Sequence, residues 1–157
     1  MKMKIAFYKA TRPGLEGIFN VLVRWWTKGP YSHCELILEE YLDGTVLCGS
    51  ASQLEGGVRL KRMALSPEHW DVLTAPLGNQ ETALGWFKQH QGAGYDYLGL
   101  LGFLARPVAG HQSRWFCSEA VGAALGLAEP WRFCPNTLAA LCERVDTSRQ
   151  GWTEAAG

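Results

Sequence analysis

The chain has 157 residues, of which 47% are hydrophobic and 19% are charged, a composition typical of one globular domain. Its 15 basic and 15 acidic side chains cancel, which excludes the basic surface expected of a nucleic-acid-binding protein. The five cysteines form no C-x-x-C pair, so free thiols in a reducing compartment are favoured over a disulfide framework.

No signal peptide and no transmembrane segment are expected. The N-terminal residues become polar too early for a signal peptide. The most apolar stretch, residues 98–105, is far shorter than a membrane span. These features predict a cytoplasmic protein without stable membrane insertion.

The first half of the chain predicts one helix and several strands. The pattern indicates a strand over residues 4–8, a helix over 15–27, and strands over 32–38, 45–51, 58–62 and 70–74. The helix carries an apolar stripe. We interpret it as a core face, and we prefer this to a membrane-facing patch made of Arg24, Trp25, Trp26 and Lys28.

The second half predicts mostly helices. Asn79 can cap a helix over residues 81–90, and further helices are indicated over 95–104, 117–125 (ended by Gly126) and from Asn136 to about 144, with a loop at 106–113. Strands followed by helices predict an α+β fold. We expect one domain over residues 1–146 and a flexible tail over 147–157.

Two distant residues suggest a cysteine nucleophile and its base. Cys117 begins a predicted helix, where unpaired N–H groups and the helix dipole favour a thiolate. His33 lies at the start of a predicted strand. If the helix packs on the sheet, the imidazole can reach the sulfur. A buried structural cysteine and a core histidine are the alternative interpretation.

The base also needs a polar group to orient it. Glu35 shares the His33 face of the strand, and Ser50 lies on the neighbouring strand, so both are candidates. An oxyanion formed during catalysis needs hydrogen-bond donors. The candidates for oxyanion or substrate contacts, besides the Cys117 N–H, are Tyr31, Tyr95, Tyr97 and Ser118.

Metal and cofactor sites are not expected. His33-Cys34-Glu35 has the H-x-E form of zinc deaminases, but the P-C-x-x-C that should follow is missing. His33 and Cys34 point to opposite faces of a strand, so they cannot share a metal. Cys134 and Cys142 have no partner at zinc-finger spacing.

The order of these motifs resembles a known family. Residues 31–36, 56–59, 95–99 and 116–119 read Tyr-Ser-His-x-Glu-Leu, Gly-Gly-Val-Arg, Tyr-Asp-Tyr-x-Gly and Phe-Cys-Ser-Glu. This series is similar to the circularly permuted branch of the NlpC-type papain-like superfamily. That branch contains the YiiX-like cysteine hydrolases and is related to the lecithin–retinol acyltransferase-like proteins.

The resemblance implies a papain-like fold, an antiparallel sheet with packed helices, in which Cys117 is the nucleophile and His33 the base. The family's third residue, often a glutamate, usually lies on the strand after the histidine. Ser50 occupies that slot here, and Glu35 can substitute. We expect a hydrolase that cleaves a peptide or peptidoglycan-type amide, as in bacterial or phage proteins. The alternatives are a thioesterase or acyltransferase on lipid-like substrates, or a catalytically degenerate binding protein.

Overall fold

The structure is a computed structural model that describes residues 2–95 and 114–142. Within these ranges the elements are β1 (Lys4–Tyr8), α1 (Leu15–Thr27), β2 (His33–Glu40), β3 (Thr45–Ser52), β4 (Gly57–Ala64), β5 (Trp70–Thr74), α2 (Gln80–His90), β6 (Gly94–Tyr95), β7 (Arg114–Trp115) and α3 (Cys117–Leu125). A short 3-10 helix, Pro130–Arg132, follows, and residues 135–142 form helix α4. The α+β fold class is confirmed.

The strands form one sheet in the order β5-β1-β2-β3-β4-β6-β7. The pairs are antiparallel except β6 and β7, which run parallel. The N-terminal strand therefore lies between β2 and β5. At the β3–β4 turn, Gly57 has a φ of +146°, and a Cβ there would collide with the carbonyl of Ala93. Glycine is thus required where β4 meets the chain leading into β6.

The main hydrophobic core lies between one face of the sheet and helices α2, α3 and α4. Cys34 and Leu36 of β2 belong to it together with Phe87 of α2 and Val121 of α3. A smaller cluster covers the other face and is formed by Ala6, Tyr8, Ile37, Cys48 and Trp70. Because strand side chains alternate, β2 contributes to both clusters.

Helix ends agree with the sequence at two places and differ at a third. Asn79 accepts a hydrogen bond from the Thr82 N–H at 3.1 Å, and Gly126 ends α3 in the left-handed conformation. The prediction that Asn136 caps the last helix is wrong. The helix begins at residue 135, and the Thr137 N–H bonds to Cys134 Sγ at 3.4 Å.

Asn136 instead ties α4 to the chain between α1 and β2. Its amide donates to Thr27 Oγ1 at 2.6 Å and to the Tyr31 carbonyl at 2.8 Å, and its Oδ1 accepts from the Tyr31 N–H at 2.9 Å. Three polar groups of the segment that leads into β2 are thereby satisfied by one side chain.

The prediction that the apolar stripe of α1 faces the core is wrong. Trp25 is 71% exposed and Leu15 is 85% exposed, whereas the buried residues of this helix are Gly17 and Asn20. The polar side of the helix makes the contacts with the protein. Arg24, for example, donates to the carbonyls of Lys9 and Ala10 at 2.6 and 3.1 Å.

Several predictions lie wholly or partly outside the described residues. These are the loop at 106–113, the flexible tail at 147–157 and, beyond Tyr95, the helix expected over 95–104. Tyr95 itself is in a short strand. Among residues 2–95 and 114–142, none of the helices is long and apolar enough to cross a membrane.

Candidate active site

His33 and Cys117 meet in the structure. β2 begins at His33 and α3 begins at Cys117. The two side chains lie within interaction range, because each shifts the pKa of the other through hydrogen bonding and opposite charge. His33 Nε2 lies 2.9 Å from Glu35 Oε1, which leaves Nδ1 as the ring nitrogen for the sulfur. The imidazole therefore links the thiol of α3 to a carboxylate of β2.

Glu35 is a buried carboxylate, 1% exposed, and Arg59 of β4 satisfies it. Arg59 Nη1 donates to Oε2 at 2.7 Å and Nη2 donates to Oε1 at 2.5 Å. Burial alone would raise the pKa of Glu35, but the hydrogen bonds from Arg59 and His33 lower it from 4.5 to about 2. Glu35 is thus a permanent anion beside the imidazole.

The same contacts favour the charged form of His33. Burial lowers the pKa of the imidazole. Cys117 raises the pKa of His33 through its charge and through hydrogen bonding, and Glu35 raises it in the same two ways. These effects exceed the effect of burial, so the pKa of His33 rises from 6.5 to about 9. His33 is therefore an imidazolium at neutral pH.

Cys34 supports the thiolate from the other side. The pKa of Cys117 lies well below its usual value, and hydrogen bonding with the Cys34 side chain is the largest cause. Burial raises this pKa, and the charge of His33 lowers it further. The pKa of Cys34 is raised, first by burial and then by its contact with Cys117. Cys34 thus remains a thiol that donates to the Cys117 thiolate. Because His33 and Cys34 point to opposite faces of β2, we infer that the sulfur lies at the start of the strand, where both reach it.

A groove gives access to His33. It lies between α1, the start of β2 and the β3–β4 turn, and its lining includes Phe19, Ser32, His33 and Leu54. The His33 side chain is 16% exposed, and Cys117 is 5% exposed. Within the described part of the chain, the buried Ser32 hydroxyl has no hydrogen-bond partner. The Ser32 hydroxyl and His33 therefore both line the groove, and the hydroxyl is available for hydrogen bonding there.

Ser50 does not contact the imidazole, although it was a candidate for the third position. Its hydroxyl donates to the Cys34 carbonyl at 2.7 Å. Ser50 lies opposite Arg59 in the sheet, and Leu36 lies opposite Gly49. Glu35, Ser50 and Arg59 therefore form one row across three strands. In this row Glu35 orients the imidazole, while Ser50 fixes the backbone beside it.

Two of the candidate oxyanion donors have hydroxyls bonded elsewhere. The Tyr31 hydroxyl donates to Asp71 Oδ2 at 2.9 Å, and the Ser118 hydroxyl donates to the Phe133 carbonyl at 2.6 Å. Tyr95 is buried, with 7% of its surface exposed. Tyr97 lies outside the described residues. The Cys117 N–H, a further predicted donor, lies in the first turn of α3.

Sequence reasoning missed two members of the site. Arg59 was noted only as part of Gly-Gly-Val-Arg, and its pairing with Glu35 follows from the β3–β4 register. The sequence predicts only that Cys34 points to the strand face opposite His33. The role of Arg59 could have been predicted from Glu35, because a carboxylate buried on a strand requires a cation beside it. Among residues 2–95 and 114–142, no three His, Cys, Asp or Glu side chains are grouped so that they could hold a metal ion.

No family model, curated protein or solved structure matches this chain. Its chemistry is therefore argued from the geometry of these side chains. A thiolate, an imidazolium and a carboxylate held in series can attack an electrophilic carbon, deliver a proton to a leaving group and recover that proton from water.

Proposed function

We propose that the protein is a cysteine hydrolase that cleaves an amide bond through an acyl-enzyme, with Cys117 as nucleophile, His33 as acid and base, and Glu35 as the residue that orients the imidazole. The observation that carries the proposal is His33. Its ring interacts with the sulfur at a helix N-terminus, and its Nε2 is hydrogen-bonded to a buried carboxylate. The resemblance of the motif order to permuted NlpC-type hydrolases supports the same assignment.

In the proposed reaction the Cys117 thiolate adds to the carbonyl carbon, and the carbonyl π electrons move onto the oxygen. The Cys117 N–H donates to this oxyanion. The N-cap residue, Phe116, has a hydrocarbon side chain that cannot occupy the first N–H groups of the helix. The C–N bond then breaks as the imidazolium gives its proton to the leaving amine. Water, deprotonated by the now neutral imidazole, attacks the thioester and releases the acid and the thiolate.

An amide is favoured over a thioester because of the leaving group. An amine leaves only when it is protonated, whereas a thiolate leaves without a proton. The raised pKa of His33, about 9, keeps a proton on the ring beside the sulfur. That stored proton is what amide cleavage requires.

Labelling with a biotinylated acyloxymethyl ketone tests the proposal. The wild type should be labelled at one site, and Cys117→Ala and His33→Ala should both lose the label. Cys48→Ala is the matched control, because Cys48 is a buried thiol on the other side of the sheet with a raised pKa. Labelling that survives in Cys117→Ala would refute the nucleophile, and equal labelling of His33→Ala and wild type would refute the base.

A further inference from the structure

Helix α1 presents its apolar side to the outside. Its large apolar residues are between 42% and 85% exposed: Leu15, Ile18, Val21, Leu22, Trp25 and Trp26. At 100° per residue they fall within an arc of roughly 140°. We call this surface the α1 arc. An exposed apolar patch of this kind marks an interaction site rather than an unfinished core.

The polar side of α1 is fixed to the protein, so the outward direction of the arc is built in. Asn20 Oδ1 accepts from the Arg12 N–H at 3.2 Å, and Arg24 donates to two backbone carbonyls. Thr27 Oγ1 donates to the Val23 carbonyl and accepts from Asn136. Rotating the arc inward would break the bonds that Asn20, Arg24 and Thr27 make outside the helix, and it would bury charge.

The charges around the arc favour an anionic occupant. Residues 9–28 contain four basic side chains and one acidic side chain, although the whole chain is balanced at 15 and 15. Lys9 pairs with Asp71 and Arg12 pairs with Glu16. Among the described residues, neither Arg24 nor Lys28 is in an ion pair. Arg24 is held against the carbonyls of Lys9 and Ala10 on the protein side, so Lys28 is the basic residue at the edge of the arc, where it lines the same surface concavity as Trp25 and Trp26.

The shape of the arc fits a lipid surface better than a second copy of the chain. A helix of 13 residues is about 20 Å long and presents a face about 10 Å wide. A stable protein interface buries about 800 Å² on each partner, more than this narrow strip can supply alone. Leucine, isoleucine and tryptophan on one side, with basic residues at the rim, are typical of helices that lie in the membrane interface.

We propose that α1 is a membrane-docking helix that inserts the α1 arc into the surface of an anionic bilayer. Glu16, Phe19 and Asn20 of the same helix line the groove at His33. Glu16 and Asn20 lie on the side of α1 opposite the arc, so docking would hold the groove behind the helix, one helix diameter (~10 Å) from the lipid surface. The inference rests on α1 alone and does not require the site to be catalytic.

Cosedimentation with vesicles made of equal parts phosphatidylglycerol and phosphatidylcholine tests the inference on the full chain. The double variant Ile18→Glu/Leu22→Glu should partition onto these vesicles roughly tenfold less than the wild type, because two apolar contacts are replaced by charges. Leu42→Glu is the matched control. Leu42 is a fully exposed leucine in the β2–β3 turn, so its replacement should leave partitioning unchanged.

Wild type should also bind pure phosphatidylcholine vesicles more weakly, and equal binding would overturn the choice of an anionic surface. Both variants change exposed residues, so circular dichroism should show the wild-type melting temperature. Partitioning of the double variant equal to that of Leu42→Glu would overturn the inference. So would a wild-type dimer in sedimentation velocity that the double variant abolishes, because the arc would then bind a second copy.

Discussion

Replacing Arg59 by methionine removes the cation that keeps Glu35 ionised, while a side chain of similar length remains. Glu35 is 1% exposed and Arg59 is 13% exposed, so water replaces little of the lost interaction. His33 alone would then satisfy the carboxylate. We expect both the stability of the protein and the orientation of the imidazole to suffer.

The magnitude follows from the pKa of Glu35. Its shift from 4.5 to about 2 corresponds to about 3 kcal/mol at neutral pH, at 1.36 kcal/mol per unit. Removing one partner of a buried ion pair costs about 3–5 kcal/mol, since the other charge is left buried. We therefore expect Arg59→Met to lower the free energy of unfolding by about 3 kcal/mol.

Lys61→Met is the matched control. Lys61 is on the same strand and pairs with Glu55, which Arg59 also contacts. The side chains of Lys61 and Glu55 are 49% and 34% exposed. An exposed pair of this kind contributes less than about 1 kcal/mol, so Lys61→Met should be nearly neutral.

Urea unfolding at several pH values measures both the size and the sign of the effect. A lowered carboxylate pKa stabilises the native state above its unfolded value, 4.5, and this stabilisation is lost as the pH falls toward 2. The difference between wild type and Arg59→Met should therefore shrink between pH 5 and 2. Equal costs for Arg59→Met and Lys61→Met, or a difference independent of pH, would refute the role given to Arg59.

Three further outcomes are expected. Iodoacetamide at pH 6 should alkylate Cys117 before the other thiols, because its pKa is lowered, and the rate should change again as His33 loses its proton near pH 9; five equal rates by mass spectrometry would contradict this. Gly49→Ala should lower stability by about 1–3 kcal/mol in urea, since the new Cβ would lie 2.5 Å from the ring of Phe87; an unchanged midpoint would contradict it. Asn136→Ala should cost about 2 kcal/mol through its three lost bonds, with a cost under about 0.5 kcal/mol as the contrary result.

Much of the local structure could be predicted because its signals are local. The strands predicted over residues 32–38 and 45–51 correspond to β2 and β3, and Gly126 correctly predicted the end of α3. The meeting of His33 and Cys117 could also be predicted, although they are far apart in the chain. A helix N-terminus favours the thiolate of Cys117, and a histidine on the strand against which the helix packs can reach that sulfur.

Long-range features could not be predicted in the same way. The apolar stripe of α1 has the period of a core helix, and only the bonds made by Asn20 and Arg24 reveal that its polar side faces the protein. Asn136 has the chemistry of a cap, but it bonds to Tyr31, distant in sequence. The register that places Arg59 beside Glu35 requires knowing which strands are neighbours.

The strand order has a consequence for the growing chain on the ribosome. His33, Glu35 and Arg59 belong to β2 and β4, which are joined through β3 by two consecutive antiparallel pairings, and such nearby segments associate early. Cys117 is translated much later. A nascent chain would thus hold His33 between its partners before the Cys117 thiol exists, so the proposed reactivity would begin only after α3 has been translated.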